Sequence, residues 1–229
     1  ESNSFSIYKL LQLSALREKE GLEDHKDYHS QIVKLMTSDL KAVKDASQLT
    51  FAWTVDNEEY QSTSLMFELY FTTLSLAQKM FNSQENYKSA VHLFKQCRDI
   101  LSAWKTADLV YPNCPYVCTN EYLTNMLYLT NGSMLLKMKS TGKQEAVRLS
   151  SAMKCTGKVA YHLPTYSDIA LNHYLVSRAL LFQHLALKDL ENIEQGEKAN
   201  KSYTCANEAL ELCRLVDRSK VHMDTALNT

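Results

Sequence analysis

Two histidines, His25 and His29, stand four residues apart, a spacing that puts both imidazoles on one face of a helix. Such a pair can share a metal ion, but the flanking residues lack the glutamate that completes a zincin motif. They therefore read as two solvated histidines on an exposed helix face. Cys114 and Cys118 have the spacing of half a zinc site, and no second pair follows at a suitable distance. Cys155, His162 and His173 could meet across helices, although nothing in their spacing demands it. His162 suits the last turn of a helix, where a cation opposes the dipole. Five scattered glycines cannot build a phosphate-binding loop. No enzyme is indicated, and neither cofactor nor metal is expected.

Lys137, Lys139, Lys143 and Arg148 gather around Gly142. One reading is a solvated helix end whose cations favour the C-terminal dipole. The other is a site that attracts an acidic helix or lipid headgroups.

Composition narrows the field. Lys plus Arg number 25 and Asp plus Glu 26, a net charge of −1, which offers no basic domain for nucleic acid. The 229 residues suffice for a substantial core, and only five Gly and three Pro favour long helices with few sharp turns. Such a chain does not need disulfide staples, so its six cysteines read as free thiols in a reduced, intracellular setting. Asn131-Gly132-Ser133 and Asn200-Lys201-Ser202 match the glycosylation triplet, which matters only in a secreted protein. No signal peptide and no membrane-spanning run is expected.

The elements that would position these groups are organised around one apolar stretch. Leu49 to Trp53 favours a strand, and an acidic turn (Asp56 to Glu59) follows. Ser62 or Ser64 then caps a helix whose large apolar residues from Leu65 to Phe81 fall on every face, as expected of a buried spine. Glu68 interrupts that run and must reach solvent or a partner. Apolar spacing predicts further helices over Phe5–Lys19, Leu22–Lys44, Tyr87–Lys105, Asn120–Ser140, Lys143–His162, Asp168–Leu190 and Gly196–Val216. Asp108–Cys118, with two prolines, is the clearest loop. Three triplets echo one another: Ala90, Phe94, Cys97; Ala146, Ser150, Met153; Ala199, Tyr203, Ala206. They suggest hairpins paired as in tetratricopeptide arrays, at a period longer than the usual unit of about 34 residues. The expected fold is all-α, a single domain over 1–229. It is an elongated array of antiparallel helical hairpins with its core over 60–217, plus a short β element near 48–56.

Leu49-Thr50-Phe51-Ala52-Trp53 followed by Ser64-Leu65-Met66-Phe67-Glu68 resembles the core of the Bro-one domain (Alix-like, boomerang-shaped). Ala90 to Phe94, Met134 to Lys137, and Gly196-Glu197 leading to Ala206 continue the resemblance in the family's order. It covers roughly Leu22 to Leu215, in a chain well over a hundred residues shorter than the family's domain. The glutamine-rich step of the family is replaced by Leu129-Thr130-Asn131-Gly132. The resemblance implies a non-enzymatic scaffold that binds the C-terminal amphipathic helix of an ESCRT-III subunit in endosomal sorting or membrane remodelling. It would be cytoplasmic, with peripheral membrane association. The groove residues it implies are Met134, in place of the family's aromatic, Val147, and either Leu149 or Ser151, with Lys137 and Lys143 at the adjoining turn. The alternative expectation is a generic tetratricopeptide-like module for another peptide or protein.

Overall fold

Ser64 begins the spine helix. Its hydroxyl accepts a hydrogen bond from the backbone N–H of Met66 at 3.2 Å, and its own N–H donates to the Ser62 hydroxyl at 3.1 Å. Both serines foreseen at this helix start are thus used, with Ser64 as the cap. The computed structural model describes residues 21–38, 49–84, 86–106, 114–190 and 197–218. The helix expected over Phe5–Lys19 lies outside them, as does the extension of the next helix beyond Ser38. The described residues are mostly helical: seven α-helices packed in adjacent pairs and one small antiparallel sheet. Two compact units divide the chain, Glu1–Leu123 and Thr124–Thr229.

The first unit contains α1 (Leu22–Ser38), β1 (Phe51–Val55), β2 (Glu58–Ser62), α2 (Leu65–Asn82) and α3 (Tyr87–Thr106). A 3-10 turn (Tyr116–Cys118) and the first turn of α4 (Asn120–Lys137) complete it. α2 is the spine that its sequence predicts. It packs against both α1 and α3 and buries Phe67, Tyr70, Phe71, Leu74, Ala77 and Phe81, among others. Each such large side chain removed from water is worth about 1.5–3 kcal/mol. Trp104 of α3 meets this face edge-on at Phe67, ring centroids 6.0 Å apart. At the far end Ser83 closes the helix, its N–H reaching the Lys79 carbonyl at 2.9 Å. The Asn86 side chain then accepts from Ser89 N–H at 3.0 Å to open α3.

The strand near residues 48–56 is present, and it has a partner that its sequence did not announce. β2 pairs with β1 in the register Phe51↔Ser62 to Val55↔Glu58. Asp56 and Asn57 make the two-residue turn, both at positive φ (51° and 68°). That is the conformation whose twist matches a two-residue hairpin, and Asn and Asp tolerate it better than most residues. Glu68 finds a partner rather than solvent. It is fully buried, accepting from the Tyr28 hydroxyl at 2.5 Å and from the Trp53 indole N–H at 2.7 Å. Trp53 also stacks on Phe71. One carboxyl thus joins α1, β1 and α2.

The second unit holds the rest of α4, α5 (Lys143–Val159), a 3-10 turn (Pro164–Tyr166), α6 (Ser167–Leu190) and α7 (Glu197–Arg218). α4 carries polar residues among its buried ones, and these turn their donors onto the helix itself. Thr130 bonds the Met126 carbonyl, Asn131 that of Leu127 and Ser133 that of Leu129, at 2.7–2.8 Å. The Asn131 amide is consequently committed inside a helix.

Gly132 lets α5 approach closely. A Cβ there would lie 2.6 Å from the Thr156 methyl and 3.2 Å from the Ala152 carbonyl oxygen. α6 packs against both α5 and α7, and Arg178 pairs with Glu208 across the latter contact at 2.7 Å.

The three alanine triplets do not occupy equivalent places. Ala90, Phe94 and Cys97 are all buried, whereas Ala146, Ser150 and Met153 are half-buried and Tyr203 and Ala206 are exposed. Helical pairing here does not depend on that pattern. The spread of apolar residues around α6 also exceeds what is buried, since Ile169, Leu171 and Leu187 reach the surface.

Candidate partner-binding site

The turn between α4 and α5 is built by a side chain that looks in sequence like one more surface cation. Arg148 lies one and a half turns into α5 and folds back over the end of α4. Its guanidinium donates to the Leu136 carbonyl at 3.1 Å and also to that of Leu135. These carbonyls lie at the helix end, where Leu135 also accepts from Met138 N–H at 3.3 Å, and the cation adds hydrogen bonds and the charge that this end favours. Glu145 receives the remaining donors: Arg148 Nε at 2.9 Å, a second guanidinium nitrogen, and the Ser140 hydroxyl at 2.6 Å. The bond from Arg148, helped by Ser140, holds the Glu145 carboxyl below its ordinary range. Gly142 stands at φ 59° with open space around it and starts α5 without a side-chain cap.

On this frame the expected partner-binding residues separate. Val147 is 67% exposed. Met134 and Ser151 are half-buried, and Lys137 and Lys143 are exposed. Leu149 is 1% exposed and belongs to the core, so of the two alternatives Leu149 and Ser151 only the latter reaches the surface. Sequence reasoning passed over Met138, which is 51% exposed and one turn beyond Met134, its N–H bonded to the Met134 carbonyl. The i, i+4 spacing of the two methionines was the available signal.

The candidate metal and catalytic groups are placed differently from expectation. His25 and His29 are not a solvated pair. His25 is buried, and His29 sits half-buried with Nε2 3.1 Å from the Thr73 hydroxyl. Burial lowers the His29 pKa. His173 is engaged by Ser133 at 2.8 Å, while His162, expected in the last turn of its helix, is exposed in the turn that follows the helix end at Val159. Cys114 and Cys118 are free thiols, the first half-buried and the second buried. Among the described residues, no group of three or more His, Cys, Asp or Glu side chains is placed to hold a metal ion. No described helix is long and apolar enough to cross a membrane.

No protein-family model matches the chain, and neither a curated protein nor a solved structure matches it.

Proposed function

We propose that this chain is a non-enzymatic adaptor that resembles Bro-one domains and receives the C-terminal amphipathic helix of an ESCRT-III subunit. The observation that carries the reading is the exposure of Val147 (67%) and Met138 (51%) on the two sides of the α4–α5 turn. Apolar anchors on two successive helices are what a helix-in-groove site requires, and methionine adapts to an imprecise fit. Lys137, Lys139 and Lys143 stand exposed around the same turn. They would complement acidic residues on a docking helix and speed its encounter. The order of elements adds support: an aromatic hairpin strand precedes an apolar helix whose glutamate receives the strand's tryptophan. In this reading the protein works in the cytoplasm at endosomal membranes, and the same lysines favour a peripheral contact with anionic lipid.

Calorimetric titration with the C-terminal helix of an ESCRT-III subunit tests the proposal, with Val147→Asp as the matched variant. A charge at an exposed position costs the fold little, but against an apolar anchor pocket it should weaken binding about tenfold or more. Saturable binding that survives Val147→Asp would move the site elsewhere. Absence of binding by the unmutated chain would sink the ESCRT reading in favour of a tetratricopeptide-like module for a different peptide.

A further inference from the structure

The segment joining α4 to α5 holds a hydroxyl that the turn's own hydrogen bonds leave out. Residues 138–142 are non-helical. Within them Ser140 is half-buried and committed: its hydroxyl donates to Glu145 at 2.6 Å and accepts from Arg148 Nε at 3.2 Å. Its N–H donates to the same carboxylate at 3.2 Å. Thr141 is the next residue. It is exposed, and its hydroxyl has no hydrogen-bond partner among the described residues. Gly142 beyond it is at positive φ in open space. A large enzyme can therefore reach Thr141 while the bonds of Ser140, Glu145 and Arg148 keep both helices closed.

Charge is the second observation. Lys137 and Lys139 lie four and two residues before Thr141 and Lys143 two residues after it, all three exposed. The nearest acid in the sequence is Glu145, which is paired with Arg148. Thr63 makes the contrast. It is also exposed outside a helix, in the bend before α2, but has no Lys or Arg within five residues on either side. Protein kinases choose among accessible hydroxyls largely by such flanking charge. We propose that Thr141 is a phosphorylation site for a protein kinase that selects a threonine between basic residues.

The phosphoryl donor is ATP. Thr141 Oγ1 attacks the γ-phosphorus, the bond from that phosphorus to the oxygen bridging to the β-phosphate breaks, and ADP leaves. The hydroxyl proton passes to the kinase's catalytic carboxylate. The product suits this fold, because the new charge precedes the first turn of α5, where an anion is favoured, and stands between lysines. A phosphate of about −1.5 to −2 charge offsets most of the formal +3 of Lys137, Lys139 and Lys143. An acidic helix or anionic lipid would then be held less strongly. That consequence rests on the adaptor reading above, whereas the phosphorylation itself does not.

The test incubates the full chain with ATP, magnesium and a kinase of the protein kinase C class, which favours basic residues on both sides of its acceptor. Proteolysis and mass mapping locate the product. Phosphate is expected on Thr141 and not on Ser140 or Thr63. Thr141→Ser should keep the reaction, and Thr141→Ala should abolish it at this position. Lys139→Gln combined with Lys143→Gln should lower the kinase's kcat/KM about tenfold or more, with circular dichroism unchanged. No ESCRT-III helix enters this assay, so its failure and that of the adaptor reading are read separately. Phosphate mapped to Ser140 or Thr63, none on Thr141 of the folded chain, or a rate indifferent to the lysine changes would each overturn the proposal.

Discussion

The Ser133 hydroxyl oxygen lies 2.8 Å from Nδ1 of His173 and 2.8 Å from the carbonyl of Leu129. A hydroxyl has one proton. Since Ser133 gives it to Leu129, the oxygen accepts from His173, and the neutral imidazole carries its hydrogen on Nδ1. Burial, with the Lys137 charge as a smaller contribution, lowers the His173 pKa to about 4.

A pH dependence follows with a definite sign. The unfolded chain binds a proton on this histidine near pH 6.5, the folded chain only near 4. Stability contributed by the neutral ring is complete above pH 6.5 and is lost as pH falls from there through 4, about 3 kcal/mol in total. His29 titrates in the same direction, since burial lowers its pKa too. Urea midpoints measured from pH 7 to pH 4 should decline, and His173→Gln should flatten the decline. An unchanged slope in that variant would assign the acid sensitivity to other groups.

Val147 and Leu149 are two residues apart on α5 and have opposite exposures, 67% and 1%. Leu149→Ala should cost about 2–5 kcal/mol, the range for emptying a packed aliphatic site. Val147→Ala should stay within about 0.5 kcal/mol, as surface changes do. Equilibrium denaturation of the two variants side by side checks the contrast. Equal losses would mean that Val147 packs against something in solution.

Gly132→Ala tests the crossing of α4 and α5. Alanine favours a helix interior by about 1 kcal/mol over glycine. Here its methyl would lie 2.6 Å from the Thr156 methyl and 3.2 Å from the backbone oxygen of Ala152. Overpacking of this kind costs about 1–3 kcal/mol and outweighs the propensity gain. The midpoint should therefore fall, and Gly132→Ala with Thr156→Ser, which removes the offending methyl, should recover part of it. A stabilised single variant would show that the two helices separate readily.

Glu68→Ala removes the common acceptor of the Tyr28 hydroxyl and the Trp53 indole N–H. Each loss of a buried hydrogen-bond partner costs about 1–3 kcal/mol. The sum, on the order of 2–6 kcal/mol, should be visible in the denaturation midpoint. Trp53→Phe keeps a ring to stack on Phe71 and gives up one donor, so it should cost less than half as much. The buried Trp104 remains as the indole probe in that variant, and circular dichroism gives a second readout.

The elements that could be read from sequence are those whose apolar spacing is strong. The spine over Leu65–Phe81 and the helix from Tyr87 need only their own residues to declare a buried face. β2 was missed because Glu58-Glu59-Tyr60-Gln61-Ser62 has no apolar alternation; its outer residues are exposed and its pairing comes from β1. Asp56-Asn57 between the two segments was the legible signal, a two-residue turn of types suited to positive φ. His25 and His29 were placed in solvent because histidine spacing says nothing about what packs over it. The resemblance offers Leu149 beside Val147 as the alternative to Ser151, yet two residues along a helix is a rotation of about 200°, enough to take one side chain inside and the other out. Arg148 was counted as a surface charge because its acceptors are backbone carbonyls, which no side-chain pattern reveals.

The acceptor at Glu68 also orders the events of folding. Its two donors lie 40 and 15 residues upstream, so α2 can form its own helical bonds long before either donor arrives. Until then the carboxyl must stay hydrated, and the first turn of α2 cannot close over its core. Docking of α1 and of the hairpin is then expected to release this water after local helix formation. Substitutions at Tyr28, Trp53 or Glu68 should consequently shorten the lifetime of the folded unit more than they slow its formation. The side chain that breaks the apolar run of the spine is the last to be dried.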